Sequence, residues 1–195
     1  MVKLNTRFFI NIFEINMKTY IFIVSYVIFL SLSISPLSNA QTPLILNGTA
    51  QTPSILNGTA QTPLILNGTA QTPSILNGTA QADNITGTPK DDYISGGAGF
   101  DNIIGNEGND EIDGGVGGDK ISGGQGDDLI FGGIGNDNIT GDDGNDDLYG
   151  GPGADYLSGG KGADYFDCGT GSDTISNLNI TEGDISLPNC EKMAR

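Results

Sequence analysis

Histidine is absent from this chain of 195 residues. Without histidine there is no Ser-His or Cys-His pair to activate a nucleophile, and there is no HExxH zinc site. Paired carboxylates could in principle perform glycosidase chemistry, but the acidic residues that would form them follow a strict period that explains them without catalysis. The sequence therefore predicts a protein that is not an enzyme.

Basic side chains are scarce. Eight Lys and Arg stand against 24 Asp and Glu, which gives a formal net charge of −16. Three of the eight, Lys3, Arg7 and Lys18, precede residue 41, so the rest of the chain is strongly acidic. A surface of this charge repels phosphate backbones, which excludes nucleic acid as a partner.

Long apolar runs are limited to one, Tyr20–Leu32, and it is shorter than the roughly 20 residues that a membrane span needs. Lys18 precedes the run, and Ser-Asn-Ala at residues 38–40 follows it, which is the pattern of a secretory signal peptide and its cleavage site. We predict a signal peptide over residues 1–40, with Met17 as an alternative start and an uncleaved membrane anchor as the alternative interpretation. The mature chain is then secreted, extracellular or at the cell surface, and has no membrane span.

Cysteine occurs only twice, at Cys168 and Cys190. Two thiolates in a chain without histidine are too few for a zinc site. In an exported protein, an even pair near the C terminus favours a disulfide. Such a bond would hold residues 177–195 over the end of the preceding repeats as a C-terminal cap, which a solenoid needs.

Residues 41–80 consist of four tandem decapeptides, QTPLILNGTA and QTPSILNGTA in alternation. Each contains an Asn-Gly-Thr sequon, where exported chains can carry sugar. The four asparagines are Asn47, Asn57, Asn67 and Asn77. Period ten is out of phase with the repeat that follows, and the prolines are expected to interrupt any ladder of strands. The composition favours an extended spacer over a folded domain, although the Leu-Ile-Leu triplets argue against complete disorder.

A nine-residue unit then repeats eleven times from Gly78 to Ser176 without insertion, in the form GGAGFDNII at residues 96–104. The sixth residue is always aspartate: Asp83, Asp92, Asp101, Asp110, Asp119, Asp128, Asp137, Asp146, Asp155, Asp164 and Asp173. The eighth residue is always apolar: Ile85, Ile94, Ile103, Ile112, Ile121, Ile130, Ile139, Leu148, Leu157, Phe166 and Ile175.

This period predicts a solenoid, because a unit with one apolar side chain must stack on its neighbours to bury it. The six residues rich in Gly and Asp predict a turn, and the last three predict a short strand. Two units make a coil of eighteen residues, so carboxylates of successive coils lie roughly 4.8 Å apart. Two like charges this close need a cation between them. Carboxylate and backbone carbonyl oxygens together suit Ca²⁺ better than Zn²⁺.

The repeats resemble the hemolysin-type calcium-binding repeats of RTX proteins, GGxGxDxUx. The resemblance implies an all-β fold, a right-handed parallel β-roll over residues 81–176 (in register from Gly78), with Ca²⁺ held between the loops of successive coils. The predicted metal ligands are Asp92, Asp101, Asp110, Asp119, Asp128, Asp137, Asp146, Asp155, Asp164 and Asp173. The first two loops, GTAQAD and GTPKDD, lack the second and third glycines and are predicted to form the weakest sites.

Two functions are compatible with these features. The apolar core amounts to about one side chain in nine, so folding is predicted to depend on Ca²⁺. The chain is then a secreted structural module of a matrix or cell envelope, or a calcium-dependent adhesin or accessory protein that binds a cell-surface protein or polysaccharide. Large apolar side chains on the outside of one sheet bear on the second function, although aromatic residues favour strands in any case. These residues are Tyr93, Leu129, Phe131, Tyr149 and Tyr165.

Overall fold

The computed structural model describes the backbone of residues 44–48, 54–57, 64–68, 74–190 and 192–193, and the side chains of residues 74–190. These residues form strands and turns. They include no helix, and so none that could cross a membrane. The predicted signal peptide over residues 1–40 lies outside the described residues and stays a prediction.

Nineteen strands follow one another along these residues. The first ten are β1 (Leu44–Gly48), β2 (Ser54–Asn57), β3 (Leu64–Gly68), β4 (Ser74–Thr79), β5 (Asn84–Thr86), β6 (Tyr93–Ala98), β7 (Asn102–Glu107), β8 (Glu111–Val116), β9 (Lys120–Gln125) and β10 (Leu129–Ile134). The other nine are β11 (Asn138–Asp143), β12 (Asp147–Tyr149), β13 (Pro152–Gly153), β14 (Tyr156–Lys161), β15 (Tyr165–Asp167), β16 (Thr170–Gly171), β17 (Thr174–Ser176), β18 (Ile185–Ser186) and β19 (Lys192–Met193).

The strands form two parallel sheets that face each other in a β-solenoid of about six turns. Sheet A has the order β1-β3-β5-β7-β9-β11-β14-β17-β19, and sheet B has the order β18-β15-β12-β10-β8-β6-β4-β2. Strands β13 and β16 form a small third sheet. Within sheet B, Ile130 pairs with Ile112 on one side and with Leu148 on the other, each eighteen residues away. The predicted all-β roll with eighteen-residue coils is therefore confirmed.

The core is a single column of side chains between the sheets. Every eighth-position residue of the repeats is at most 1% exposed, and Leu76 of the preceding decapeptide continues the column. The flanking residues of each strand point outward, as the alternation of a strand requires. Because the column is one side chain wide, each coil depends on the coils above and below it to exclude water.

Most strands are longer than the three residues predicted. Strand β10 continues beyond Phe131 through the first glycines of the next repeat, and Gly133 still pairs with Gly115. Gly133 has φ +104°, and a Cβ added there would lie 2.0 Å from the carbonyl oxygen of Gly115. Glycine is needed here because it alone permits both this backbone conformation and this close approach of two coils.

Strands β1 to β4 belong to the decapeptides and extend the two sheets. Leu44 pairs with Leu64 at a spacing of twenty residues, and Leu76 pairs with Ile94 of the first regular coils. The expectation that period ten and the prolines would keep the decapeptides out of the ladder is wrong for these strands. Each proline directly precedes a strand in the sequence and so does not stand within one. The spacer role, the domain limits and glycosylation of the sequons stay predictions.

The C-terminal tail closes back on the roll. Strand β18 pairs with β15 and β19 pairs with β17, which adds one strand to each sheet. Leu178 and Cys190 pack against the end of the core. The predicted disulfide between Cys168 and Cys190 is confirmed, with the two α-carbons 5.2 Å apart. It ties the tail to the last repeat.

Candidate metal sites between the coils

The sixth-position aspartates form one ladder along each edge of the roll. In each ladder the backbone amide of one aspartate donates a hydrogen bond to Oδ1 of the aspartate eighteen residues later, at 2.7 to 3.0 Å. One edge carries Asp83, Asp101, Asp119, Asp137, Asp155 and Asp173, and the other carries Asp92, Asp110, Asp128, Asp146 and Asp164. The spacing that we inferred from the sequence therefore brings the predicted ligands together in two rows.

The second carboxylate oxygen, Oδ2, has no hydrogen-bond partner in nine of these aspartates, although the atom is buried. The nine are Asp101, Asp110, Asp119, Asp128, Asp137, Asp146, Asp155, Asp164 and Asp173. A buried anionic oxygen without a partner is strongly unfavourable, because it has lost its hydration and gained nothing in exchange. Nine such atoms at the same position of the repeat indicate that their partners come from outside the protein.

The electrostatics of the ladders agree with this conclusion. Burial, and to a smaller extent the like charges of neighbouring aspartates, raise the pKa of Asp110 and of Asp146 from 3.8 to about 7. The hydrogen bond from the amide of the preceding aspartate acts in the opposite direction without cancelling the effect of burial. Burial likewise raises the pKa of four others to about 6, namely Asp101, Asp119, Asp128 and Asp155. In the absence of a cation, protonation is the means by which these carboxyls avoid a buried charge.

Carbonyl oxygens of the neighbouring coil approach the orphaned carboxylate oxygens. A Cβ placed on Gly96 would lie 2.6 Å from Oδ2 of Asp101 and 2.5 Å from the carbonyl oxygen of Gly114. The first-position glycine therefore leaves space at the point where a carboxylate of its own loop and a carbonyl of the next coil converge. Among the residues that the structure describes, no three side chains of His, Cys, Asp or Glu converge on one point. A cation here would be held by carboxylate and carbonyl oxygens, a donor set that fits Ca²⁺ and does not fit Zn²⁺.

The first two loops are built differently. Threonine occupies their second position, and the amide and hydroxyl of Thr79 donate to Oδ2 of Asp83 at 2.6 and 2.8 Å. At Asp92, the Thr88 amide donates to Oδ2 at 2.5 Å, while the Thr88 hydroxyl and the Ser74 amide donate to Oδ1 at 3.0 and 2.6 Å. Of the ten predicted ligands, Asp92 alone has both oxygens occupied by protein donors.

The sequence explains this difference. The second position of several regular loops has a positive φ, for example in Asn106 and Asp142, and β-branched threonine avoids that conformation. The backbones of Thr79 and Thr88 therefore take another conformation. In it, the amide and hydroxyl of each threonine donate to the aspartate of the same loop. These donors occupy carboxylate oxygens of Asp83 and Asp92, and the weak sites expected at these two loops stay a prediction.

One further aspartate joins the ladder without a regular repeat around it. Asp184 of the tail is buried, and its Oδ1 accepts a hydrogen bond from the Asp164 amide at 3.0 Å, twenty residues earlier. Its Oδ2 accepts a hydrogen bond of 2.6 Å from the backbone amide of Asn179. A donor from the tail therefore ends this row of aspartates. Sequence reasoning missed Asp184 because the period breaks after residue 176. The signal was the pair Gly183-Asp184, which matches the fifth and sixth residues of the unit GGVGGDKIS at residues 114–122.

The family model of the RTX calcium-binding nonapeptide repeat (4 copies) matches residues 77–112, 86–121, 104–139, 113–148 and 140–175. These matches together span residues 77–175, just over half of the chain, and the chain therefore belongs to the family of proteins with RTX calcium-binding nonapeptide repeats. These repeats in a β-solenoid imply calcium binding, and the roll that they form is a structural calcium-binding module. No curated protein and no solved structure matches the chain.

Proposed function

We propose that this protein is a secreted, calcium-binding structural module of an extracellular matrix or cell envelope, and that its folding is coupled to Ca²⁺. It has no catalytic role. The observation that carries this proposal is the set of nine buried Oδ2 atoms without hydrogen-bond partners, repeated at the same position of successive coils.

The proposed ligands are the sixth-position aspartates from Asp101 to Asp173, together with carbonyl oxygens of the adjoining coils. Bound Ca²⁺ supplies the positive charge that lets these carboxylates stay ionised while buried. In the folded roll each aspartate holds its place through the hydrogen bond that its Oδ1 accepts, which leaves its Oδ2 for the ion. Asp92 differs from the other nine predicted ligands, and we assign it to the hydrogen-bonded end of the ladder.

Coupling to folding follows from the thin core. One apolar side chain in nine residues leaves little hydrophobic stabilisation to oppose chain entropy and the repulsion within a chain of net charge −16. A ligand that binds only the folded chain stabilises it by mass action.

A calcium titration followed by circular dichroism tests the proposal directly. The metal-free chain at pH 7.5 should show little β-structure over residues 96–176 and should gain it cooperatively as calcium is added. Mg²⁺ is the matched control, because it retains its water ligands and needs stricter octahedral geometry. A spectrum rich in β-structure that does not change in excess chelator would refute the coupling.

A second candidate function is that of a calcium-dependent adhesin or accessory binding protein. The observation in its favour is the row of exposed aromatic rings on sheet B, where Phe131 stacks on Tyr149 with ring centroids 4.9 Å apart. Capture experiments from envelope material, with and without chelator, separate the two functions. Calcium-dependent capture of a specific cell-surface protein or polysaccharide supports the adhesin, and capture of none supports the structural module.

A further inference from the structure

The outer surfaces of the two sheets carry different chemistry. On sheet A the seventh and ninth residues of the repeat units are mostly Asn, Ser and Thr, with Lys120 among them, and none is acidic. On sheet B the same two positions in β6, β8, β10, β12 and β15 carry four acidic residues, five aromatic or aliphatic ones and one serine, and none is basic. We call these outward side chains of sheet B the acidic–aromatic face.

The apolar part of this face lies in two adjoining rows. Phe131 and Tyr149 are paired residues of neighbouring strands, and Tyr149 contacts Tyr165 with ring centroids 5.9 Å apart. Tyr93 is 46% exposed and Phe131 36%, so a good part of each side chain remains in water. Rings that form an open stack of this kind offer flat surfaces to a partner.

The acidic part is interleaved with the rings. Glu111 lies between Tyr93 and Leu129 in one row of paired residues. Asp147 is paired with both Leu129 and Tyr165. Carboxylates next to ring faces form the environment that attracts ammonium and guanidinium groups, through ion pairing and cation–π contact together.

A groove marks one end of the face. It has a volume of about 530 Å³ and is lined by the apolar side chains of Ile75, Tyr93 and Leu129, with Glu111 between them. Asp91 and Asp127 also line it, and every charged residue of its lining is acidic, including the proposed calcium ligand Asp110. The backbone amide of Asp127 donates a hydrogen bond to Oδ1 of Asn109, which ties this part of the lining to the preceding coil.

We propose that the acidic–aromatic face is a docking surface for an extended, basic segment of a partner protein, in which Arg or Lys and apolar residues take turns at every second position and so point to the same side. Residues of one row that are two strands apart, such as Tyr93 and Leu129, are separated by roughly 10 Å. A basic side chain reaches Glu111 between them, while the apolar side chains two residues before and after it contact the groove. Charge complementarity selects this occupant, because the face has no base of its own to neutralise its carboxylates.

This inference depends on the proposed function in one respect, since the face exists only when the roll is folded. The experiment uses the calcium-loaded protein and a fluorescent octapeptide in which arginine and leucine take turns at every second position with serine between them, with binding measured by anisotropy. Phe131→Ser should weaken binding about tenfold, the loss expected when an aromatic anchor is removed. Asp147→Asn should weaken it several-fold and reduce its dependence on salt.

Two matched controls lie off the face. Tyr156→Ser removes a ring of similar exposure, 42%, from sheet A, and Glu107→Gln removes one exposed charge from the end of β7. Both should change the affinity less than twofold. Equal weakening by Glu107→Gln and Asp147→Asn would show that net charge alone attracts the peptide and would overturn the proposal.

Two other binding results would also count against the basic partner segment. Binding of an alternating glutamate–leucine peptide with similar affinity, or Phe131-dependent binding of a neutral polysaccharide in place of the basic peptide, would overturn the proposal. Circular dichroism of each variant in the same calcium solution separates a failure of the proposed function from a failure of this inference. A protein that gains no β-structure on adding calcium contradicts the proposed function, whereas a folded protein that does not bind the basic peptide contradicts this inference alone.

Discussion

The backbone amide of Asp110 donates a hydrogen bond of 2.8 Å to Oδ1 of Asp128, its counterpart in the next coil of the same edge. Oδ2 of Asp128 is buried without a partner. One oxygen of each carboxylate thus joins two coils directly, and the other faces the gap between them. The same side chain can therefore contribute to stacking and to ion binding, and a substitution can separate the two roles.

Asp128→Asn should separate them. The amide side chain keeps an oxygen for the Asp110 N–H but removes the charge from the gap, so we expect fewer bound calcium ions and lower cooperativity in calorimetry. Asp92→Asn is the matched control, since both oxygens of Asp92 already accept protein hydrogen bonds. It should leave the number of bound ions unchanged while costing about 1–3 kcal/mol of stability for the lost hydrogen bond. Equal losses of bound calcium in the two variants would contradict this assignment.

Acidification should fold the metal-free chain. The pKa of Asp110 and of Asp146 is raised from 3.8 to about 7 in the folded state, so protonation favours folding. The stabilisation is complete below pH 3.8 and is lost as the pH rises through 6 to 7. Circular dichroism in calcium-free buffer should therefore show β-structure increasing as the pH falls from 8 to 5. In saturating calcium the same acidification should weaken calcium binding, because protons compete for the carboxylates. Loss of β-structure on acidifying the metal-free chain would contradict the raised pKa values.

The N-terminal coils should be the part least dependent on calcium. Thr79 and Thr88 satisfy the adjoining aspartates, so hydrogen exchange in chelator should show more protection over residues 74–95 than over residues 96–176. Thr88→Val keeps the shape of the side chain and removes its hydroxyl donor. It should reduce that protection and leave the number of calcium ions bound at saturation unchanged. Uniform exchange along the whole roll in chelator would show that the threonines do not replace the ion.

The disulfide should stabilise the C-terminal end by constraining the unfolded chain. Cys168 and Cys190 are 22 residues apart, and closing a loop of that length is worth about 3 kcal/mol in the chain-entropy model. Replacing both with serine should lower the melting temperature and expose the tail to protease. Adding reductant to the wild-type protein should have the same effect on the tail, and none on the double variant. Two reactive thiols in the native protein would contradict the bond.

The regular part of the fold could be predicted because one constraint repeats without exception. An apolar residue every nine positions, alternating between two sides, requires coils of eighteen residues, and the pairing of Ile130 with Ile112 and Leu148 confirms them. Strand length could not be predicted in the same way. Glycine disfavours strands by intrinsic propensity, and only the close approach of neighbouring coils keeps Gly133 in the ladder.

The decapeptide strands and the two hydrogen-bonded aspartates could not be predicted, because they depend on strand register and on individual donors. The decapeptides have another period, and the register of Leu66 with Ile85 and of Leu76 with Ile94 shows that they continue the two sheets. The positions of the carboxylates followed from the repeat, but the hydrogen bonds that complete Asp92 and Asp184 come in part from Thr88, which replaces a glycine of the motif, and from Asn179, which follows the repeats. Local donors of this kind are decided by backbone conformation, which the pattern of the motif does not specify.

The alternation of consecutive units between two sheets also constrains how the gene can change in length. Loss or gain of one nonapeptide would move every later unit to the opposite sheet, which would scatter the acidic and aromatic residues of sheet B over both surfaces. Change by two units preserves all of them. The decapeptides obey the same rule, since QTPLILNGTA supplies β1 and β3 to sheet A while QTPSILNGTA supplies β2 and β4 to sheet B. The chain should therefore gain or lose whole coils of eighteen or twenty residues. Alleles of this gene should differ by even numbers of repeats.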